Sequence, residues 1–381
     1  MTFELSDDHD AFRRVVRDFA ENEIGPYAET WDREHTFPLD VVSKMGELGL
    51  FGLPFSTEYG GSGGDFTSLC VAIEEIGRVD QSVGITLEAA VGLGINPIYN
   101  FGTDAQKERW LPDLLRGAKL AAFGLTEPDA GSDAGATRTR AVPDGDEWVI
   151  NGTKAFITNS GTPITSAVTV AAKTAPGEIS TFIVPAGTEG MTIEPAYRKM
   201  GWHASDTHGI SFVDCRVPAS SLLGDLGRGF HQFLATLDDG RIAIAALAVG
   251  LAQACLEHSV EYAKNRNAFG GPIGRYQAVS FMCADLAVAT EAARLLTYKA
   301  AALRDQGKPI KQAAAMAKLY ASEAAVKATQ TATQIYGGAG YLDTSPVARF
   351  YRDGKILEIG EGTSEIQRLV ISRGLGLPVE T

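Results

Sequence analysis

Cysteine is scarce in this sequence: its 381 residues include four, Cys70, Cys215, Cys255 and Cys283. They are widely spaced and form no C-x-x-C pair, so their spacing indicates neither a zinc site nor a disulfide framework. The six histidines show no metal-ligand spacing either, and we expect no metal site. Four unpaired thiols are typical of a reducing compartment, and we expect the protein to be cytoplasmic.

Long apolar runs and targeting segments are also lacking. The longest apolar run, residues 242–254, is too short for a bilayer span, which takes about 20 residues. The first twelve residues are acidic and amphipathic, unlike a signal or transit peptide. We therefore expect a soluble protein without membrane insertion.

Several familiar motifs are missing. There is no G-x-G-x-x-G fingerprint and no Walker A sequence, which excludes a Rossmann dehydrogenase and a P-loop enzyme. The G-x-S-x-G and H-E-x-x-H motifs are absent too. Positive charge is in deficit, with 34 Lys and Arg against 47 Asp and Glu and a net charge of −13. That balance argues against nucleic acid as a partner, but a few local arginines would suffice for a phosphorylated ligand.

The sequence patterns that are present divide the chain into three regions, and its length predicts two or three domains. Residues 1–120 and 229–381 have helical periodicity, the latter with long Ala-rich helices over about 230–266, 276–306 and 309–336 and a short one from 364. Residues 121–228 read as short strands, which favours a small barrel or sandwich. Within them, Asn151-Gly152 predicts a two-residue hairpin turn between strands 147–150 and 153–158.

Glycine is abundant, at 42 residues or about 11%, where proteins average about 7%. Short glycine-bearing or adjacent segments follow one another in order: LTEPDAGSD (125–133), FITN (156–159), RNAFG (266–270), YGGAGY (336–341), and RDGKI (352–356) leading to EGTSEIQR (361–368). Together they resemble the acyl-CoA dehydrogenase family over about residues 5–374. The resemblance implies a mostly α, α+β fold with an N-terminal helical domain, a middle β-barrel domain and a C-terminal four-helix bundle.

Glu361 is the residue on which the chemistry depends. By itself it is one of 47 acidic residues, and Ser364 and Gln367 after it have the spacing of a helix capping box. The resemblance instead implies that Glu361 is the general base of an FAD-dependent α,β-dehydrogenation, which converts an acyl-CoA to the trans-2-enoyl-CoA. A carboxylate in an apolar pocket suits removal of a proton α to a thioester.

The resemblance also implies two sets of binding residues. Those for FAD are Phe123, Leu125, Thr126, Gly131, Ser132, Phe156, Thr158, Arg266, Phe269, Gln277, Gln334, Gly337, Gly338, Thr363 and Glu365. Those for the acyl-CoA are Ser132, Asp238, Arg241 and Gly362. Several of these residues also have a purely structural interpretation. Residues 125–133 would form a turn. Arg266 would be a cation at the C-terminus of a helix, and Asp238 would be an acidic cap at the start of one.

Further implications concern assembly, acceptor and substrate. In the family, FAD is held across subunits, so we expect a homotetramer built as a dimer of dimers, with an electron-transfer flavoprotein as acceptor. Gly240 stands where some relatives carry their glutamate, which leaves Glu361 as the candidate base. Gly360, where many relatives have tyrosine, favours a short or branched acyl group. An oxygen-using acyl-CoA oxidase and a catalytically silent CoA- or flavin-binding subunit are the alternatives.

Overall fold

The computed structural model describes residues 5–379. The first four residues, on which part of the expectation of no targeting segment rests, lie outside the described residues. The N-terminal region is helical, as predicted, with α1 (Asp7–Phe19), α2 (Ala28–Glu34), α3 (Leu39–Glu47), α4 (Phe66–Val79), α5 (Gln81–Glu88), α6 (Asn96–Phe101) and α7 (Asp104–Leu115). π-Helical turns at Ala20–Ile24 and Ala89–Ile95 extend α1 and join α5 to α6.

The middle region is a β domain. Its strands are β1 (Leu120–Gly124), β2 (Arg140–Asp144), β3 (Glu147–Thr158), β4 (Thr165–Ala175), β5 (Glu178–Pro185), β6 (Met191–Ile193), β7 (Thr207–Pro218) and β8 (Leu222–Leu223). They form one eight-stranded sheet in the order β6-β7-β3-β2-β4-β5-β8, with β1 parallel to β4. The predicted middle β domain is confirmed, and β6 and β8, at the two ends of this path, are not paired with each other among the described residues.

The predicted hairpin at Asn151-Gly152 is wrong. β3 runs through both residues, and the tight turn lies earlier, at Gly145 between β2 and β3. Asn151 instead marks an irregularity in the β3–β7 register: its side chain bonds to the backbone N–H of Asp214 at 2.8 Å and to the Asp214 carboxylate at 3.1 Å. The Asn-Gly pair thus serves a bulge and not a turn, a difference set by the partner strand.

The C-terminal region is helical, as predicted, with α8 (Gly229–Asn265), α9 (Gln277–Asp305), α10 (Lys311–Tyr336), α11 (Pro346–Gly354) and α12 (Ser364–Gly374). A small hairpin, β9 (Asn267–Ala268) with β10 (Gly271–Pro272), follows α8. By length and composition α8 could cross a membrane, with an 18-residue window of mean hydropathy 1.5. Since 78% of that window is buried inside the fold, its apolar side chains serve the core.

Two main cores hold these regions together. Helices of the N- and C-terminal regions share the larger one, where Leu69 and Ile73 of α4 and Leu247 and Leu251 of α8 are fully buried. The strands enclose a second core around Phe182 and Phe212. A smaller cluster joins β1 to α8, and it lies beside the residues with predicted functional roles.

Candidate active site

Glu361 lies in a tight turn between a 3₁₀ turn, Lys355–Glu358, and α12. Its φ is +52° and that of Gly362 is +96°, so two successive residues adopt the left-handed region that favours glycine. For a glutamate this conformation is strained, and strain of this kind is concentrated at functional sites. The turn is held from inside, because the Gly362 carbonyl accepts hydrogen bonds from Lys318 Nζ at 2.7 Å and Gln367 Nε2 at 2.9 Å.

The start of α12 differs from the capping-box alternative. The cap is Thr363, whose hydroxyl accepts a hydrogen bond from the backbone N–H of Ile366 at 3.3 Å. Gln367 bonds to the turn and not to the cap. The local sequence around Glu361 is thus arranged to support the turn as well as to begin a helix.

Glu361 is half-buried, and one of its two carboxyl oxygens is shielded from solvent. Its Oε2 atom has no hydrogen-bond partner among the described residues. Burial raises the pKa of this carboxyl to about 7, against the opposing effects of Glu88, Lys318 and Arg241. A carboxylate with a pKa near neutrality is suited to taking a proton and later releasing it.

Glu88 is a second carboxyl at the same place, and its functional role was not predicted from the sequence. It ends α5, where the helix passes into the π-helical turn, and its side chain is fully buried. Neither of its carboxyl oxygens has a hydrogen-bond partner among residues 5–379. Burial first, and then the charge of Glu361, raise its pKa well above the ordinary range. The signal was a lone acid in an otherwise uncharged stretch, ITLEAAVGLGI (85–95).

Gly240 on α8 makes room for both carboxyl groups. A Cβ atom at this position would lie 2.1 Å from Glu361 Oε2 and 3.7 Å from Glu88 Oε1. A Cβ on Gly92 would lie 3.0 Å from the same Glu88 oxygen. Side chains at either position would therefore crowd the pair. From the sequence, Gly240 indicated only that a second candidate base is absent. In the fold, its lack of a side chain leaves the space that the Glu361 carboxyl group occupies.

Asp238 and Arg241 flank Gly240 and pair with each other across one helical turn. They lie well inside α8, which begins at Gly229, so the alternative of an acidic helix cap is wrong for Asp238. Arg241 is buried, and its Nε atom lacks a partner among the described residues. Burial raises the pKa of Asp238, while Arg241 and Lys311 lower it. The structure thus brings two predicted substrate residues to Glu361.

The predicted flavin residues of the β region lie at the junction with α8. Phe123 packs on Phe233 of α8 with ring centroids 4.5 Å apart, and Leu125 is buried in the same cluster. The carbonyl of Thr126 accepts from the backbone N–H of Ala155 at 2.9 Å. This hydrogen bond joins the segment after β1 to β3, just before Phe156 and Thr158 of β3. Phe156 is 65% exposed.

Lys154 and Glu127 form a buried ion pair at the junction of β1 and β3. Neither residue was predicted from the sequence to have a functional role. Lys154 Nζ donates to Glu127 at 2.8 Å and to the carbonyl of Leu125 at 3.1 Å. Glu127 also accepts backbone N–H groups of Arg138 at 2.6 Å and Thr139 at 3.0 Å. Burial lowers the pKa of Lys154 to about 8, while Lys154 and the other donors lower that of Glu127 to about 2 against the effect of burial.

Another group of predicted FAD residues lies at the far end of the helical region. They are Arg266 and Phe269 after α8, Gln277 at the start of α9, and Gln334, Gly337 and Gly338 at the end of α10. Stacking of Tyr262 on Tyr336, with centroids 4.1 Å apart, brings the ends of α8 and α10 together. Lys318 lies beneath Glu361, so about 27 Å of helix axis separates it from Tyr336. The candidate FAD residues of one chain thus form two separate groups, one towards Glu361 and one at the end of α10.

These residues fit a bound cofactor in their exposure and spacing. Phe269 is 92% exposed, and a Cβ built on Gly337, Gly338 or Gly131 would meet nothing within 4 Å. Ser132 lies beside Gly131 on the same exposed loop, and Thr363 and Glu365 lie beside the catalytic turn. The open space suits the close approach of a bulky ligand. Among residues 5–379, no cluster of three or more His, Cys, Asp or Glu could hold a metal ion.

Comparison with known proteins covers nearly the whole chain. The models of the acyl-CoA dehydrogenase N-terminal, middle and C-terminal domains match residues 6–118, 122–215 and 227–376. The probable acyl-CoA dehydrogenase YngJ of Bacillus subtilis is 52% identical, over 98% of this chain and 100% of that protein. A short-chain specific mitochondrial acyl-CoA dehydrogenase of Mus musculus is 48% identical, over 97% and 90%. The structure of butyryl-CoA dehydrogenase from Megasphaera elsdenii has a TM-score of 0.96 at 43% identity, covering 99% and 100%.

Proposed function

This chain belongs to the acyl-CoA dehydrogenase family, and we propose that it oxidises a short-chain acyl-CoA to the trans-2-enoyl-CoA, with Glu361 as the base. The chain is thus an oxidoreductase of a family that binds FAD. The observation that carries the proposal is the Glu361 carboxyl, whose Oε2 atom is buried without a hydrogen-bond partner among the described residues and whose pKa is raised to about 7. A base in this state can accept the α-proton at neutral pH.

The residues around Glu361 have distinct roles in this reaction. Glu361 takes the α-proton onto its carboxylate, and its backbone N–H stabilises the negative charge that develops on the thioester oxygen. Gly362 lets the backbone approach the thioester, while Ser132, Asp238 and Arg241 position the CoA chain. FAD, when bound, supplies the acceptor for the β-hydrogen, which leaves as hydride.

The substrate is proposed to be short or branched. Gly360 carries no side chain, and a Cβ there would meet nothing nearer than the carbonyl oxygen of Ile356 at 3.5 Å. The space beside the base is therefore left open at this position. The short-chain names of the mouse relative and the Megasphaera structure agree with this.

We extend the proposal to cofactor and assembly. Thr363 and Glu365 follow the turn that Lys318 supports, and Lys318 is about 27 Å along α10 from Tyr336, beside the group near Arg266. This separation is consistent with a cofactor held between two copies of the chain, and we propose a homotetramer arranged as a dimer of dimers. Phe123, Leu125, Thr126, Phe156 and Thr158 would hold the ring portion, and the group near Arg266 would receive the remainder from a neighbouring copy. An electron-transfer flavoprotein is the proposed acceptor, and the cytoplasm the proposed location.

Substrate and acceptor can be tested together. Purified protein is mixed anaerobically with butyryl-, isobutyryl- or octanoyl-CoA, and the loss of flavin absorbance and the enoyl-CoA product are followed. Faster bleaching by the butyryl or isobutyryl thioester is expected, whereas a clear octanoyl preference contradicts the substrate assignment. Rapid peroxide formation in air, without an added acceptor, would favour the oxidase alternative. No bleaching by any acyl-CoA, with FAD bound, would favour the silent subunit.

A further inference from the structure

Lys318 is a buried cation beneath the turn that carries Glu361. It lies in the second turn of α10, and its side chain has no exposed surface. Its ammonium donates to the Gly362 carbonyl at 2.7 Å, the one acceptor within hydrogen-bond distance of it among residues 5–379. The side chain therefore reaches from α10 to the backbone of the catalytic turn and no further.

The surroundings of Lys318 make this arrangement costly. The neighbouring positions Ala314, Ala317 and Ala321 of α10 are fully buried, so the lysine stem lies in an apolar helix interface and its ammonium has left water. Burying a cation without a directly bonded carboxylate costs free energy of folding, which an apolar side chain of similar length would not. The position therefore carries a charge for a reason other than stability.

The charge acts on Glu361. Lys318 and Arg241 both lower the pKa of Glu361, against burial, which raises it. The groups facing this site come from every neighbouring element: Glu88 from α5, Asp238 and Arg241 from α8, Glu358 from the 3₁₀ turn and Glu365 from α12. Burial lowers the pKa of Lys318 itself to about 8, so its charge is retained at neutral pH.

We propose that Lys318 is a positioning residue for the base: it fixes the Glu361–Gly362 turn through the Gly362 carbonyl and keeps a positive charge beside the Glu361 carboxyl group. The inference rests on the proposed function of Glu361. Its consequence is that Glu361 is ionised when the acyl-CoA arrives, although its burial favours the protonated form. Because Gln367 also donates to the Gly362 carbonyl, the turn keeps one support when Lys318 is replaced, and the effect of charge can be measured separately.

The test is the pH dependence of single-turnover flavin bleaching by butyryl-CoA. Lys318→Met removes both the charge and the hydrogen-bond donor, and Lys318→Gln removes the charge but keeps an N–H donor on a shorter side chain. Both variants should move the midpoint, above which Glu361 is ionised, to higher pH by about one unit, the effect of removing one nearby opposite charge. Lys318→Arg should keep the wild-type midpoint with a lower rate. Lys199→Met is the matched control, since Lys199 is partly buried and its ammonium also donates to a backbone carbonyl, that of Ser205 at 2.5 Å.

The outcomes separate cleanly. An unchanged midpoint in Lys318→Met or Lys318→Gln, with FAD bound and native circular dichroism, overturns the role of Lys318. If Lys318→Met does not fold, Lys318→Gln carries the test, and a midpoint shifted in Lys318→Arg as in the neutral variants also overturns it. An equal shift in Lys199→Met would show that any buried lysine has the same effect. Failure of the proposed function is distinct, because Glu361→Gln would then still bleach the flavin at the wild-type rate.

Discussion

Glu88 and Glu361 share one buried space, which a glycine at position 240 leaves open. Their carboxyl groups come from α5 and from the turn before α12, and both lie within 4 Å of the point where a Cβ on Gly240 would stand. Two carboxylates in one buried space do not both ionise easily, because like charges and burial each favour the neutral form. The pair therefore holds at least one proton near neutrality, and Glu361 is ready to act as the base when that proton is on Glu88.

The first prediction concerns the space itself. Gly240→Ala places a Cβ 2.1 Å from Glu361 Oε2 and so displaces the carboxyl group. We expect the rate of flavin bleaching by butyryl-CoA to fall about 100-fold, as is typical when a base is misplaced by about 1 Å, while FAD remains bound. Ala235→Ser, which adds one atom at an exposed position of the same helix, is the control. Wild-type bleaching by Gly240→Ala would contradict the described position of the base.

Glu88 should limit stability. Its buried carboxyl has no hydrogen-bond partner among the described residues, so replacing it by Met removes a desolvated polar group. We expect Glu88→Met to raise the free energy of unfolding by about 1 kcal/mol, measured by urea denaturation. Glu74→Met is the contrasting control, because Glu74 is buried but accepts hydrogen bonds from Arg294 at 3.0 Å and Tyr298 at 2.6 Å. That variant should lose about 3 kcal/mol; equal destabilisation by both would refute the interpretation of Glu88.

Asp353 predicts how stability depends on pH. Burial, and then the charge of Asp80, raise its pKa from 3.8 to about 7. The unfolded chain therefore binds fewer protons than the folded chain between these values, and the free energy of unfolding falls as pH rises through this window, by about 1.4 kcal/mol per pH unit for one such group. In Asp353→Asn the free energy of unfolding should fall less steeply with pH, because an amide does not titrate. The amide oxygen can still accept the hydrogen bond from the backbone N–H of Trp202, so the fold keeps this contact.

The measurement is a urea denaturation series across that pH window. Asp343→Asn, which changes an exposed carboxyl on the loop before α11, is the control and should keep the wild-type slope. A slope in Asp353→Asn as steep as in the wild type would assign the pH dependence to other groups.

The buried ion pair in the β domain predicts a change in cofactor affinity. Lys154→Met leaves Glu127 buried without its cation and frees the Leu125 carbonyl, so residues 125–127 lose their fixed shape. We expect a loss of about 3 kcal/mol of stability and an FAD dissociation constant at least about ten-fold higher, measured by flavin fluorescence. Lys119→Met, at an exposed position before β1, is the control. Unchanged FAD affinity in Lys154→Met would mean that the pair serves the fold alone.

Much of the fold follows from local patterns. The long helices of the C-terminal region and the order of helical, β and helical regions were predicted from periodicity, because one buried face repeats along each element. The order of the strands in the sheet and the role of Asn151-Gly152 could not be predicted in the same way. Both depend on which strand lies beside which, and Asn151 finds its partner, Asp214, 63 residues away.

The site was predicted in part, and for a physical reason. Glu361, Asp238 and Arg241 were identified from segments that resemble the family, and the structure brings these three together. Glu88 and Lys318 were not, because each is a single charged residue in a helix whose role depends on burial against a distant turn. A lone charge in an apolar, Ala- or Gly-rich helical stretch is the sequence signal that both share.

The most direct measurement is anaerobic flavin bleaching by butyryl-CoA in Glu361→Gln. Glutamine keeps the shape of the side chain but cannot accept the α-proton. The expected result is a protein that binds FAD with the wild-type spectrum and is not bleached by the thioester. Bleaching at the wild-type rate by Glu361→Gln would contradict the assignment of Glu361 as the base.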